Sequence, residues 1–167
     1  MRVVPIAAAL IVVTACEPAP VQEPVAAPTA TIAMVRLAAD SGTFAMNSGY
    51  ETPATLVIRD SSAWAAAWNT IQMGVEPQPA LPAVDFAKEM LVLVAIGQQP
   101  NGGHGVVITS STYDSAGAVV VRAEHNAPGD NCMTSMALVQ PVDLARVPQS
   151  DAAVRFEVLP VTRNCAP

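Results

Sequence analysis

Charged side chains are scarce in this chain, and basic ones are the scarcest. Asp, Glu, Lys and Arg together make up 13% of the 167 residues, with 14 acidic and 8 basic residues and a formal net charge of −6. No cluster of Lys or Arg occurs anywhere in the sequence. Because neutralising a phosphate backbone requires a basic patch, this composition argues against nucleic-acid binding.

Long apolar runs are missing as well. Hydrophobic residues reach 51%, a level that would suit a membrane protein, but alanine inflates this figure and aromatic residues contribute only 4%. After the N-terminal segment, the longest uninterrupted apolar run is residues 90–96, which is much shorter than the roughly 20 residues of a membrane-spanning helix. The chain is therefore expected to form one globular domain with a proper core.

The N-terminus has the features of a secretory signal. Arg2 supplies one positive charge, a short apolar core follows, and small residues precede Cys16. This core is too short to cross a bilayer as a stable helix. The letters VTAC at residues 13–16 resemble the bacterial lipobox, which implies that residues 1–15 are removed and that Cys16 is lipidated. The alternative is an ordinary thiol in a protein that is not secreted.

Residues 16–32 have the composition of a tether. Four prolines within residues 18–28 are spaced too closely for a helix or a strand. Glu17 follows the cysteine in place of the Asp that retains lipoproteins in the inner membrane under enteric-type sorting. We therefore expect a lipid-anchored protein of the bacterial cell envelope, in the outer membrane or at the cell surface, with a single globular domain at residues 33–167.

Two cysteines remain besides Cys16. Cys132 and Cys165 would be an even pair in an oxidising compartment, and a disulfide is the simplest inference. Closing the loop between them would stabilise the domain by roughly 3 to 4 kcal/mol in the chain-entropy model. A thiol or metal site is the alternative, although no C-x-x-C or paired-His spacing supports it.

One segment, residues 62–73, has the periodicity of an α-helix. Trp64, Trp68 and Ile71 recur at i, i+4 and i+7, so one helix face carries both tryptophans. Gly74 supplies a C-terminal stop. We expect the tryptophans to pack in the core, and an exposed aromatic binding face is the alternative.

Most of the remaining domain has the patterns of β-strands. Residues 90–96 are apolar at every position, which is typical of a central strand covered on both faces. The other predicted strands are residues 56–59, 106–113, 118–126, 134–140 (ended by Pro141) and 154–158, with a glycine turn at residues 114–117. Because most connections are short, we expect an α+β fold, a mainly antiparallel β-sheet curled around one Trp-bearing α-helix. A β-sandwich with one peripheral helix is the alternative.

Few residues indicate a site for metals or phosphates. The loop at residues 98–105 lacks the ending of a P-loop and connects two strands, so a turn with glycine at a special φ is favoured over phosphate binding. His104 and His125 are the only histidines and could meet across adjacent strands, with Asp130 or Cys132 completing a metal site. No ligand spacing supports such a site, so we predict no metal and no cofactor.

Catalytic patterns are equally weak. No G-x-S-x-G elbow positions a nucleophile. Asp85 and Glu89 could act as paired carboxylates, but Asp85 has the setting of a turn or cap residue, and Lys88 beside Glu89 indicates a solvated edge. The segment at residues 126–132 is the richest in turn-formers and is a candidate binding loop. We predict no catalytic residues.

A series of structural motifs runs in order through residues 56–160. They are the letters WAAAW at 64–68, VDFAKEM at 84–90, Gly97, Pro100, Gly102 and Gly103, then Pro128, Gly129 and Cys132, and last Pro141 and Pro148. In this order they resemble the C-terminal domain of the PrcB-type protease-complex subunit. His104 and Val142 stand where that family usually has aromatic residues.

The resemblance implies an exported, often lipid-anchored domain whose named member stabilises a partner protease without being catalytic. We therefore expect a non-enzymatic accessory lipoprotein that stabilises or positions another exported protein, such as a protease, with no small-molecule substrate. A hydrolase with an unrecognised site and a protease-inhibitor-like module are the alternatives. Either the loop at residues 102–104 or the loop at residues 128–131 is expected to form the binding surface.

Overall fold

The computed structural model describes residues 30–37 and 46–165, which form two β-sheets and one α-helix. The strands are β1 Ala30–Thr31, β2 Val35–Arg36, β3 Pro53–Ile58, β4 Glu89–Ile96, β5 Gly105–Tyr113, β6 Val119–Pro128, β7 Val142–Pro148 and β8 Val154–Arg163, and the helix α1 is Ser61–Ile71. The predicted signal peptide and Cys16 lie outside the described residues. Within those residues, no helix has the length and apolar character that crossing a membrane requires.

Each sheet contains four strands. The order is β1-β5-β6-β8 in sheet A and β2-β7-β4-β3 in sheet B. Neighbouring strands are antiparallel except β6 and β8, which are parallel because the chain crosses to sheet B to form β7 between them. The prediction of a mainly antiparallel β structure with one helix is confirmed.

Strand β4 separates two hydrophobic layers. Its even-numbered residues, from Met90 to Ile96, face sheet A and pack with apolar residues of β5 and β6. Its odd-numbered residues, from Leu91 to Ala95, pack with α1 on the other side. Because side chains alternate between the faces of a strand, all of residues 90–96 are buried, as predicted. The helix thus lies on the outer face of sheet B, an arrangement closer to the sandwich alternative than to one sheet curled around a helix.

The helix carries both tryptophans on its buried face. Asp60 caps its N-terminus, because one carboxylate oxygen accepts a hydrogen bond from the backbone N–H three residues later. The indole N–H of Trp64 donates to the carbonyl of Pro82 at 2.8 Å, and that of Trp68 donates to the carbonyl of Pro79 at 3.1 Å. The tryptophans therefore fill the layer beneath the helix and also hold the proline-rich segment that follows it.

One predicted strand is wrong and another was missed. Residues 134–140 form a loop, with isolated bridges at Val139 and Gln140. The strand β7 begins directly after Pro141, and a proline without a backbone N–H is tolerated at the start of a strand. The continuous apolar run at residues 136–139 imitates a strand, whereas Asp143 gives the true strand a polar residue at its second position.

Asp143 is fully buried and joins the two sheets. Its Oδ2 accepts hydrogen bonds from Arg36 Nε and from the backbone N–H of Ile108, each at 2.7 Å. Ile108 lies in β5 of sheet A, at the β-bulge that precedes Ser110, and Asp143 lies in sheet B. A buried carboxylate is stable only with such partners, so the aspartate replaces an apolar contact with a bond between the sheets.

The folded domain begins earlier than residue 33. Ala30 and Thr31 pair with the end of β5, and the backbone N–H of Ile32 donates to the carbonyl of Ser111 at 2.8 Å. The Ile32 side chain belongs to the core between the sheets. The proline-rich composition ends at Pro28, so the residues after it can join a strand ladder.

Candidate functional site

Three segments meet at one end of the two sheets. They are the loop between β4 and β5 at residues 97–104, the loop between β6 and β7 at residues 129–141, and the C-terminal residues 163–165. The backbone N–H of Gly129 donates to the carbonyl of Arg163 at 2.9 Å. The two loops that the sequence offers as alternative binding surfaces therefore lie side by side.

Backbone hydrogen bonds fasten these loops together. Gln99 and Val139 exchange both of their backbone hydrogen bonds, at 2.7 and 3.2 Å, and Gly102 donates to the carbonyl of Ser135 at 3.1 Å. This pairing extends the contact between the two loops beyond the end of sheet B. The surface that they form has a defined backbone.

The glycines of the first loop are needed for close approach. A Cβ atom on Gly102 would collide with the Ser135 side chain, and one on Gly103 would collide with Thr134. The predicted positive φ is found instead at Gly97, the first residue of the loop, where φ is 73°. The turn interpretation is thus correct, but the two later glycines serve packing against the neighbouring loop.

A disulfide attaches the second loop to the C-terminus. Cys132 and Cys165 are bonded, with their Cα atoms 5.1 Å apart, which confirms the predicted pair. The Asn131 side chain bridges the same two segments, since its Nδ2 donates to the carbonyl of Cys165 at 2.6 Å and its Oδ1 accepts from the Cys165 N–H at 3.2 Å. Cys132 is consequently not available as a metal ligand.

Residues 131–138, which we call the methionine loop, direct large apolar side chains into solvent. Met133 is 100% exposed and Met136 92% exposed, and Leu138 is also exposed. The loop backbone is held by the disulfide and by hydrogen bonds, so these side chains protrude from a fixed support. Sequence reasoning assigned residues 134–140 to a strand and residues 126–132 to a turn-rich candidate binding loop, and it missed the exposed apolar surface of the methionine loop. The sequence signal that could have indicated this surface is a group of apolar residues directly after a turn-rich segment and a cysteine.

The two histidines meet at the same end of the domain. His104 Nδ1 lies 3.4 Å from His125 Nε2, and the ring centroids are 5.6 Å apart. His125 is paired with Val106 across β5 and β6, and His104 precedes Val106 by two residues, so both rings lie on one face of sheet A. Such a meeting across adjacent strands was considered possible from the sequence but was not predicted, and the structure has it.

A pocket of ≈370 Å³ opens beside His125 between the two sheets. It is lined by Pro53, Ala54, Thr55, Ala95, Ile96, His125 and Val158. Burial, followed by the charge on His104, lowers the pKa of His125 below its usual value. The neutral form of this imidazole is therefore favoured near neutral pH.

Comparison with known families bears on this end of the domain. Residues 90–148 match the family model described as PrcB C-terminal. This stretch of the chain is therefore similar to the PrcB C-terminal family. Its name connects the chain with a subunit of a protease complex. Neither a curated protein nor a solved structure shows a significant match to the chain.

The PrcB C-terminal match runs from β4 to the end of β7 and includes the methionine loop and both histidines. The helix and the remaining carboxylate candidates lie outside it. Asp85 and Lys88 form an exposed ion pair at 2.8 Å, and Glu89 lies 3.7 Å from Arg146. The bond from Lys88 is the main cause that lowers the pKa of Asp85.

Asp85 also accepts a hydrogen bond from the backbone N–H of Ala87, as expected of a turn residue. Asp85 and Glu89 thus have separate cationic partners. Among the described residues, no three His, Cys, Asp or Glu side chains lie close enough together to hold a metal ion.

Proposed function

We propose that this protein is a non-enzymatic accessory lipoprotein that binds and stabilises an exported protease, and that the methionine loop is the surface of contact. The observation that carries the proposal is the exposure of Met133, Met136 and Leu138 on a loop whose backbone is fixed. The PrcB C-terminal match supports a protease as the partner, since it includes this loop.

Burial of the exposed side chains against a partner would contribute favourable free energy to binding. Fully burying a methionine or leucine side chain contributes about 1.5 to 3 kcal/mol. Methionine has a flexible, polarizable side chain that adapts to an irregular partner surface. Because the disulfide and the hydrogen bonds already order the loop backbone, little further entropy is lost when a partner binds.

The pocket beside His125 supports binding over hydrolysis. A catalytic interpretation would be favoured by a carboxylate with a perturbed pKa in a pocket with a histidine. The described residues that line this pocket are apolar apart from Thr55 and His125. An exposed apolar patch, by contrast, is typical of a surface that binds another protein.

Site-specific photo-crosslinking in intact cells tests the contact. A photoreactive residue at position 136 should crosslink to an exported protease that mass spectrometry identifies. Position 73 is the matched control, because Met73 is 63% exposed but lies just beyond the helix, on the other side of sheet B. Equal crosslinking to the protease from both positions, or none from position 136, would overturn the proposed surface.

Paired substitutions test what the contact does. Met133→Ser with Met136→Ser should weaken capture of the purified protease about tenfold or more, since each lost burial is worth at least about 1.5 kcal/mol. The half-life of the protease in cells should fall in parallel, while Met73→Ser should leave both unchanged. If capture inhibits the purified protease instead of prolonging its life, the inhibitor-like alternative replaces the accessory role.

The lipid anchor is tested separately. Cys16→Ser should release the protein from the membrane, because more than one acyl chain makes spontaneous release negligible. Detergent phase partitioning measures this directly. A wild-type chain that stays in the aqueous phase would contradict the lipid anchor. The proposed protease contact would not be affected by that result, because the crosslinking and capture experiments test it separately.

A further inference from the structure

The two histidines have a separation that the accessory role does not explain. Two nitrogen ligands about 2.0 to 2.1 Å from a tetrahedral metal are about 3.3 Å apart. His104 Nδ1 and His125 Nε2 are 3.4 Å apart, within hydrogen-bonding distance of each other, and this separation is close to that of two ligands on one ion. An ion would replace the shared proton and require the rings to turn toward it.

The support beneath the pair is rigid. His125 lies within β6, and His104 directly precedes β5, its antiparallel neighbour. Both rings are half-buried at the end of the layer between the sheets, where the pocket beside His125 leaves space for further ligands. A strand holds a ligand more precisely than a loop does, so His125 is the more rigid of the two, and His104 is one residue from the start of β5.

The surroundings suit a positive ion. The charged side chains of β6, Arg122 and Glu124, alternate with His125 and therefore project from the opposite face. Each already has a partner, since Arg122 lies 2.7 Å from Glu157 and Glu124 is paired with Arg163. The other described side chains that line the pocket beside His125 are uncharged.

We propose that His104 and His125 form an open two-histidine site for a transition-metal dication, with Cu²⁺ bound more tightly than Zn²⁺. Imidazole ligands suit copper, zinc and nickel, whereas magnesium and calcium prefer oxygen ligands. No third His, Cys, Asp or Glu of the described residues joins the pair, so water or an anionic group from solution completes the coordination. The sequence did not favour a metal because the two residues are 21 positions apart and show no ligand spacing.

Titration calorimetry of the full chain, with any affinity tag removed, tests the site using CuCl₂, ZnCl₂ and MgCl₂. We expect one Cu²⁺ per chain, weaker Zn²⁺ binding and no Mg²⁺ binding. His104→Gln and His125→Gln should each weaken Cu²⁺ binding at least tenfold. Circular dichroism and thermal melts of both variants check that the fold is retained.

Pulsed electron paramagnetic resonance of the Cu²⁺ complex identifies the ligands independently. Because the sequence contains only two histidines, every imidazole signal comes from this pair. Wild type should show two imidazoles on one copper, and each variant should show one. The proposal would be overturned if wild type did not bind Cu²⁺, or if the variant with both His104→Gln and His125→Gln bound Cu²⁺ equally well. A single imidazole on copper in wild type would overturn it as well.

Discussion

The segment at residues 75–88 and the methionine loop are both irregular, but they are held in place by different kinds of contact. In the first segment, the indoles of Trp64 and Trp68 bind backbone carbonyls. Val84 and Phe86 of that segment pack against the core beneath the helix. In the methionine loop, backbone hydrogen bonds and a disulfide do the holding, and the large apolar side chains point outward.

The difference separates stability from recognition. A side chain that is packed into the core contributes to folding but cannot contact another molecule. A loop that is fixed through its backbone keeps its side chains available, and it avoids the entropy cost of becoming ordered on binding. The two segments should therefore respond in opposite ways to substitution of their large apolar residues.

The largest effect is expected at the tryptophans. Trp64→Ala or Trp68→Ala should lower the free energy of unfolding by roughly 3 to 5 kcal/mol, because each leaves a cavity beneath the helix. Each also removes the indole donor that holds the proline-rich segment. Chemical denaturation measures the change, with Met73→Ala as an exposed control. Unchanged stability in the tryptophan variants would move the helix from the core to a binding surface.

The disulfide should have the next largest effect. Cys132→Ser with Cys165→Ser should cost roughly 3 to 4 kcal/mol, because the unfolded chain regains the entropy of an open loop. Hydrogen exchange should also become faster in the methionine loop, where Asn131 and the disulfide join the loop to the C-terminus. Cys16→Ser is the matched control and should leave both measurements unchanged. Equal protection of the loop from hydrogen exchange with and without the disulfide would show that backbone hydrogen bonds alone keep the loop ordered.

The exposed methionine side chains of the loop should contribute almost nothing to stability. Met133→Ser with Met136→Ser should leave the melting temperature close to that of wild type, since both side chains are already exposed to water. The same pair of changes should abolish most of the protease capture described above. A large fall in the melting temperature would erase the contrast between the two segments.

The smallest effect is expected at the hairpin turn, where one side chain holds the backbone. Asp114 Oδ1 accepts from the N–H groups of Ala116 and Ala118, each at 2.9 Å, and the bond from Ala118 is the main cause that lowers its pKa. The carboxylate therefore stabilises the fold above its unfolded pKa of about 4, and this contribution is lost as the pH falls below that value. Asp114→Asn should be slightly less stable than wild type in thermal melts at pH 7, and the difference should shrink as the pH falls below about 4 and through the lowered pKa of the folded state. A difference that persists at low pH would contradict this role.

Local patterns predicted most of the individual elements. Residues 90–96 are apolar throughout, and the buried central strand lies there. The tryptophans recur at helical spacing, and the structure has them on the buried face of a helix at Ser61–Ile71. These patterns succeed because neighbouring residues determine which side of an element faces the core.

The remaining features depend on residues that are far apart in the chain. Strand β7 was missed because Asp143 interrupts its apolar pattern, and its partners Arg36 and Ile108 lie in other strands. The parallel pairing of β6 with β8 requires the chain to cross between sheets, which no local pattern records. For the candidate site, the disulfide was predicted and the meeting of the histidines was only considered possible. The exposure of Met136 was not predicted, since a run of apolar residues does not show whether another element covers it.

The pairing of β1 with β5 determines at which end of the domain the chain enters from its N-terminal segment. Ala30 lies opposite Tyr113, at the far end of β5 from the histidines and the methionine loop. At about 3.3 Å per residue, the length of this strand separates the two ends by roughly 25 to 30 Å. With the proposed lipid at Cys16, the chain would reach the domain at the end opposite the methionine loop. A protease captured at the methionine loop would then contact the domain at the end farthest from the point where the chain enters it.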